Sequence, residues 1–246
     1  MKIAAVYGSP RRGKISKTYW LLDAFLAGCR DEGAKIQLIN LNEYDIKFCT
    51  GCYTCWTKTP GKCALKDDMP KIIEILKEAD LEVWAFPMYF FGPTALFKNF
   101  LDRTMIFAEP FFEIKDGICT HPMRYEEKSK DKIIISVCGF PEMDHFKPIH
   151  EWLKFMEGRG LLNIKAEIYR PAAEFLVAPP FKAKKEEILE ATRRAGQEYV
   201  RDGIIKEETM RIITQDLMDQ EAFIREGNKY WQWEIDRWEA KRKENL

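Results

Sequence analysis

Neither sign of charge is in excess in this 246-residue sequence, where 39 Lys and Arg stand against 39 Asp and Glu. A chain without a net field has little to gather nucleic acid or an anionic membrane surface, so neither is expected as a partner. Long apolar runs are also missing. The first run, Ile3 to Tyr7, stops at Gly8-Ser9-Pro10, far short of a signal-peptide core or a membrane span, and a cytoplasmic location is the expectation. Histidine is scarce: His121, His145 and His150 are scattered and suggest no Ser-His-Asp or paired-carboxylate arrangement, so each is expected to be packed or solvated. No internal repeat or low-complexity tract is found. Cysteine, by contrast, is plentiful. Seven are present, an odd number with four crowded between Cys49 and Cys63, which fits reduced thiols or metal ligands better than a secreted disulfide framework.

The apolar pattern alternates between two periods. Ile3 to Tyr7, Lys35 to Leu41, Leu81 to Phe86, Ile133 to Val137 and Ile164 to Tyr169 read as strands. Between them, Ser16 to Arg30, a segment capped by Asp67-Asp68 with Pro70 in its first turn, Ala95 to Phe107, and a segment around Trp152, Phe155 and Met156 read as helices. This alternation predicts a parallel, doubly wound α/β sheet. Glu109 to Asp131 looks like an excursion from the repeat, and the chain beyond Pro171 looks helical, with a hinge at Pro179-Pro180. The expected division is a domain over 1–178 and a helical C-terminal extension over 179–246, with helices over Lys184 to Val200 and Lys206 to Asp219. Leu217, Ile224, Trp231 and Trp238 then recur every seven residues and describe one apolar seam, open to packing on its own core or to a subunit contact, with Gly227-Asn228 expected to break the helix.

In an open parallel sheet, ligands bind beyond the carboxyl ends of the strands. The first such turn reads Gly8-Ser9-Pro10-Arg11-Arg12-Gly13-Lys14-Ile15-Ser16-Lys17-Thr18. Small residues let its backbone wrap an anion, Ser9, Ser16 and Thr18 offer hydroxyls, Arg11 offers a charged fork, and the next helix offers free N–H groups, so a phosphate monoester is the natural ligand. A triphosphatase loop is disfavoured because Ile15 stands where Ser or Thr must bind magnesium, and a dinucleotide loop because Pro10 replaces the second glycine. The spacing Cys49-x2-Cys52-x2-Cys55-x7-Cys63 places four thiols on one loop with Gly51, Pro60 and Gly61. Three uses stay open: a cubane iron-sulfur cluster, zinc, or cysteines that bind nothing and pack or pair.

Gly8-Ser9-Pro10-Arg11, the cysteine cluster running into Asp67-Asp68-Met69, and Pro87-Met88-Tyr89-Phe90 with Phe97-Lys98-Asn99-Phe100-Leu101-Asp102-Arg103 together resemble the NADPH-dependent FMN reductase group and, within it, the iron-sulfur flavoprotein family. The resemblance covers roughly Met1 to Arg170. It implies a flavodoxin-like five-stranded sheet of order 2-1-3-4-5, with FMN phosphate held by Ser9, Arg11, Ser16, Lys17 and Thr18. The isoalloxazine ring would be held by Pro87, Met88, Tyr89, Phe90, Phe91 and Gly92 in the loop reaching Thr94. There, unpaired N–H groups would stabilise negative charge on the ring while Tyr89 and Phe90 cover it. Cys138 and Gly139, followed by Phe140-Pro141, would close its other edge. It further implies a [4Fe-4S] cluster on Cys49, Cys52, Cys55 and Cys63. The expected activity is an FMN-dependent oxidoreductase that takes a hydride from NAD(P)H and passes electrons to an acceptor or through the cluster, in a homodimer or homotetramer. The alternative is a non-enzymatic electron carrier exchanging electrons with a ferredoxin-like protein; a redox-sensing or interaction protein ranks last.

Overall fold

The computed structural model describes residues 1–11, 13–115, 117–125 and 130–244. In chain order the elements are β1 (Lys2–Tyr7), α1 (Lys17–Asp31), β2 (Lys35–Asn40), α2 (Met69–Glu78), β3 (Leu81–Pro87), α3 (Ala95–Asp102), β4 (Glu113–Lys115), β5 (Ile118–Thr120), β6 (Asp131–Val137), α4 (Lys147–Gly158), β7 (Asn163–Arg170), α5 (Lys182–Asp202), α6 (Glu207–Thr214) and α7 (Gln220–Glu244). The main sheet has the order β2-β1-β3-β6-β7 and is parallel throughout, so the expected doubly wound order is found. Glu109 to Asp131 is an excursion as read, with β4 and β5 pairing as a small antiparallel hairpin; residues 116 and 126–129 of it lie outside the described residues. No described helix is long and apolar enough to cross a membrane.

Side-chain alternation along the strands builds two cores. Ala4, Val6, Trp84, Phe86 and Ile134 point toward α2, α3 and α4, and Ile3, Ala5, Tyr7, Val83, Ala85, Ile133 and Ile135 point toward α1 and α5. β3 is buried along its whole length, as a central parallel strand covered on both faces must be. α5 and α6 lie within the second core: Ala191, Ala195, Tyr199 and Ile213 pack with Phe25, Leu26 and Cys29 of α1. The approach of α1 and α5 is close enough to require glycine, since a Cβ on Gly196 would stand 2.1 Å from the Phe25 carbonyl oxygen and one on Gly28 would stand 1.8 Å from that of Arg193. Arg170, fully buried at the end of β7, secures α6 by donating to the carbonyls of Ile213 and Gln215, both at 2.7 Å.

Several boundaries differ from the apolar pattern. α3 stops at Asp102 and a 3-10 turn, Arg103–Phe107, follows; the Thr104 hydroxyl donates to the Leu101 carbonyl while Arg103 turns into the interior. α6 ends at Thr214 rather than near Asp219, because Gln215 turns extended and its carbonyl serves Arg170. Leu217 leaves the seam altogether and is buried with Ala172, Leu176 and Ile188. α7 runs unbroken through Gly227-Asn228; a single glycine costs a helix only about 1 kcal/mol, and the flanking turns carry it. Gly196→Ala is expected to cost about 1–3 kcal/mol in a urea titration because its methyl meets backbone rather than a flexible side chain. Gly158→Ala, where nothing lies within 4 Å, should leave stability unchanged or raise it.

Candidate functional site

Each strand end at one edge of the sheet stays tied to its neighbour as the chain leaves it. Gly8 N donates to the Ala85 carbonyl at 2.8 Å, Met88 N to Val137 at 2.9 Å and Cys138 N to Arg170 at 3.1 Å. The loops opening at Gly8, Met88 and Cys138 therefore emerge side by side, and the Thr94 hydroxyl, donating to the Gly8 carbonyl at 2.5 Å, joins the first two.

Ser9, Ser16 and Thr18 of the first loop are all buried. The hydroxyls of Ser16 and Ser9 are 3.2 Å apart, and the Ser16 oxygen caps α1 by accepting from Tyr19 N at 3.3 Å. Arg11 and Lys17 converge on Glu174, a residue the sequence reading passed over: Arg11 Nη1 is 2.6 Å from its Oε1 and Lys17 Nζ 2.7 Å from its Oε2. Burial by itself would raise the Glu174 carboxyl, but the bond and charge of Lys17, and then of Arg11, hold it below the usual carboxylate range. Two cations of this loop thus hold one negative charge, and the same loop carries the two buried hydroxyls of Ser9 and Ser16. No local pattern marks Glu174; it arrives from the far end of the sheet on the turn after β7.

Pro87 and Met88 are buried at the end of β3, and the next four residues form a tight reversal. Tyr89 N donates to the Gly92 carbonyl at 3.0 Å and Gly92 N to the Tyr89 carbonyl at 3.1 Å. These two N–H groups are consumed by the turn, which corrects the expectation that they stand free for a ligand. Phe90 and Phe91 occupy the corners with φ of 47° and 61°, the left-handed pair of a type I′ turn that glycine or asparagine normally fills. Phe90 is fully exposed and Tyr89 and Phe91 are about half exposed, so burial does not offset the strain. Phe91 faces Phe140 of the third loop, with parallel rings at 6.3 Å, and Phe140 stacks on His145 at 4.2 Å. His145 is therefore packed, and it holds Glu142 at 3.0 Å, which in turn accepts from Gln220 at 2.6 Å. Cys138 lies beneath, its thiol pushed up to about 11 by burial and so uncharged. Beside it Gly139 meets nothing within 4 Å and leaves the loop surface open.

The cysteine loop sits at the same end of the sheet, pinned to α3 and the turn after it. Asp67 and Arg103, both buried, form an ion pair; Arg103 also donates to the Lys47 carbonyl at 2.6 Å, and Asp67 accepts from the backbone N–H groups of Lys47 and Met69. Asp67 therefore serves the start of α2 as a cap, as expected, and anchors the loop as well. Trp56 Nε1 reaches the Met105 carbonyl at 3.0 Å. Cys49 and Cys52 are exposed, Cys55 and Cys63 half-buried, and all are free thiols, as are Cys29, Cys119 and Cys138. Burial raises Cys55, and the charges of Cys63, Cys49 and Cys52 add to the shift, so the four lie within electrostatic reach of one another. Among the described residues, however, no three His, Cys, Asp or Glu side chains stand together as a metal-ion site. The donor set suits a cluster; the arrangement does not gather it. A separate cavity of about 1170 Å³, which no sequence signal marked, lies between α3 and α4 and is lined by Trp56, Phe100, Met105, Phe107, Trp152 and Met156.

Residues 1–116 match the model of a family described as NADPH-dependent FMN reductase. An iron-sulfur flavoprotein of Archaeoglobus fulgidus is 36% identical over 106 residues, covering 43% of this chain and 46% of that protein. The likeness to the NADPH-dependent FMN reductase family thus covers residues 1–116, a little under half of the chain. An iron-sulfur flavoprotein of Methanosarcina thermophila is 26% identical over 118 residues, 48% of this chain and 60% of that one. The match with the Archaeoglobus relative spans about half that protein's length. Beyond the family segment, the fold is shared with an NAD(P)H:quinone oxidoreductase from Methanothermobacter marburgensis (TM-score 0.58, 18% identity, 80% of this chain and 95% of that one). It is also shared with an FMN-dependent NADH-azoreductase from Bacillus anthracis (TM-score 0.57, 16% identity, 81% and 97%).

A left-handed conformation costs a non-glycine residue on the order of 1–2 kcal/mol, and glycine loses about 0.5–1 kcal/mol more entropy on folding. Phe90→Gly should therefore stabilise the ligand-free protein by up to about 1 kcal/mol in a urea titration, although it deletes a whole aromatic ring.

Proposed function

We propose that this protein is an FMN-dependent oxidoreductase that accepts electrons from NAD(P)H at the edge formed by the loops after β1, β3 and β6. The observation that carries the reading is the meeting, at that edge, of a charged hydroxyl pocket with a strained aromatic turn. A phosphate monoester entering the first loop would replace the Glu174 carboxylate as partner of Arg11 and Lys17, with Ser9, Ser16 and Thr18 supplying hydroxyls and α1 its N-terminal N–H groups. Tyr89, Phe90 and Phe91 would cover one side of a planar ring, and Phe140 backed by His145 would bound its edge, keeping water off the reacting face. FMN supplies the hydride-accepting chemistry when bound; the protein supplies position and electrostatics. No side chain is assigned as an acid or base. The uncharged Cys138 thiol fits an apolar floor rather than a nucleophile.

Cys49, Cys52, Cys55 and Cys63 are proposed as ligands of a [4Fe-4S] cluster on the strength of donor type and spacing. Gathering them requires the loop to close, and Gly51 and Gly61, both with positive φ, provide the backbone freedom. A reduced nicotinamide is the proposed donor; a ferredoxin-like carrier replaces it in the alternative reading.

Protein purified without oxygen is expected to show flavin absorbance with about four irons and matching acid-labile sulfide per chain, and to oxidise NADPH in steady state. Flavin without iron would remove the cluster and leave the reductase, flavin without nicotinamide oxidation would favour the carrier, and a protein that refuses added FMN would overturn the reading. Changing Ser9 and Ser16 together to alanine should abolish flavin retention. Glu174→Gln, by releasing Arg11 and Lys17, should tighten FMN binding by about tenfold at neutral pH, measured by fluorescence quenching. That advantage should shrink as pH falls through the lowered Glu174 pKa, because the wild-type carboxyl then becomes neutral as well.

A further inference from the structure

The face of the sheet turned toward α3 and α4 carries two ionisable side chains where central parallel strands ordinarily present apolar ones. Glu82, on β3, and Lys132, its register partner on β6, are only 8% and 6% exposed. Trp84 Nε1 donates to Glu82 Oε2 at 2.8 Å, and Lys132 Nζ stands 3.5 Å from the other carboxylate oxygen. A buried ion pair is often no better than apolar residues of similar volume, so stability does not account for it. The ammonium also keeps hydrogen-bonding capacity in hand. It has three protons, yet among the described residues it makes one long hydrogen bond, 3.3 Å to the Lys130 carbonyl. Both side chains line the cavity between α3 and α4, at its buried end.

The protein itself walls this cavity on its outer side. The excursion between α3 and β6 is anchored at the turn after α3, where Glu109 N donates to the Pro122 carbonyl at 2.8 Å, and its hairpin reaches the end of α4. There Lys115 lies so near Gly160 that a Cβ on that glycine would stand 2.8 Å from the lysine Nζ. His121 of the hairpin contacts both Trp56 and Phe112, with ring centres 4.9 Å from each. Phe100, Phe107, Trp152 and Phe155 add further flat apolar wall. The volume, about 1170 Å³, exceeds the ~300–1,000 Å³ of ordinary small-molecule sites and has room for fused rings. Charge in the lining is unbalanced. Its carboxylates, Glu82 and Asp102, are each held by a lysine, Lys132 and Lys98. Lys77 and Arg159 have no carboxylate partner among the described residues; they rest on the rings of Tyr125 and Phe155, at 4.2 and 4.6 Å.

We propose that this cavity is a ligand site separate from the loop edge, and that it takes a flat, fused-ring aromatic acid bearing a second oxygen group. Aromatic walls favour a planar body over an aliphatic chain. The Arg159 fork receives the carboxylate, with no carboxylate of the protein to displace. Lys132 gives a spare proton to the second oxygen at the buried end. The site lies away from the loops after β1, β3 and β6. Glu82 and Lys132 are the second residues of their strands, and about 16 Å of strand separates Glu82 from Pro87, where the loop after β3 begins. The inference therefore does not depend on what that edge binds.

Xanthone-2-carboxylate, three fused rings with a ketone and an acid, serves as the probe. Isothermal titration into the full chain should find one site per chain, and saturating FMN should leave that site open. Xanthone-2-carboxamide, which lacks the charge, and dodecanoate, which lacks the rings, should each bind about tenfold more weakly. Arg159→Gln should weaken the acid by about tenfold and leave the amide unchanged. Glu82→Gln combined with Lys132→Met removes both charges without orphaning either and should weaken acid and amide alike. Met156→Trp, which fills the cavity, should abolish binding of both with an unchanged circular dichroism spectrum; Arg159→Gln decides the matter if that variant does not fold. No binding, displacement by FMN, indifference to Met156→Trp, or affinity that falls with rising protein concentration because a second copy covers the cavity overturns the proposal. Dodecanoate binding as tightly as the aromatic acid, or an amide weakened as much as the acid by Arg159→Gln, overturns the ligand class.

Discussion

The parallel hydrogen-bond ladder through β1, β3, β6 and β7 is the constraint from which the rest of the molecule follows. Its register places Tyr7 beside Ala85, Pro87 beside Val137 and Val137 beside Arg170, so successive strands end at nearly one level. Because every strand runs the same way, the loops after β1, β3 and β6 leave from one edge, and residues about 80 and 50 positions apart in the chain become neighbours. The same ladder demands cover on both faces. α5 and α6 of the C-terminal stretch provide part of it, held by glycine-to-backbone contact with α1 and by the buried Arg170.

At that edge the protein carries costs that a purely structural loop would avoid. Two phenylalanines hold left-handed conformations at a turn where glycine would rest easily, and their rings face outward. Strain without compensating burial is a common mark of a site organised for a ligand. The charges tell a related story. Arg11 and Lys17 share Glu174, so a phosphate bound as proposed would exchange one anionic partner for another instead of meeting two unpaired cations.

The cysteine loop shows how firmly a segment without helix or strand can be held. The buried Asp67–Arg103 pair, Trp56 on the Met105 carbonyl and Asn99 on the Ile46 carbonyl fix its ends and middle. Among the described residues its thiols nevertheless do not gather as a metal-ion site. Anchoring of a loop and convergence of its sulfurs are separate matters, and a bound group contributes to the second.

Local signals in the sequence determined the alternation of strands and helices, the five-stranded parallel sheet, the Gly-Ser-Pro turn after β1 and the cysteine spacing, because each rests on residues close together in the chain. Element ends were less legible. α3 and α6 stop early because Arg103 and Arg170 draw backbone carbonyls from distant elements, and Leu217 left the heptad for a pocket formed by Ala172 and Ile188. Glu174, the His145–Phe140–Phe91 stack and the cavity between α3 and α4 were decided by tertiary structure alone, since their parts lie far apart in the chain and have no shared period. The apolar seam of α7 lay in the sequence, but its exposure did not: periodicity identifies a face, and only the packed body shows whether anything covers it.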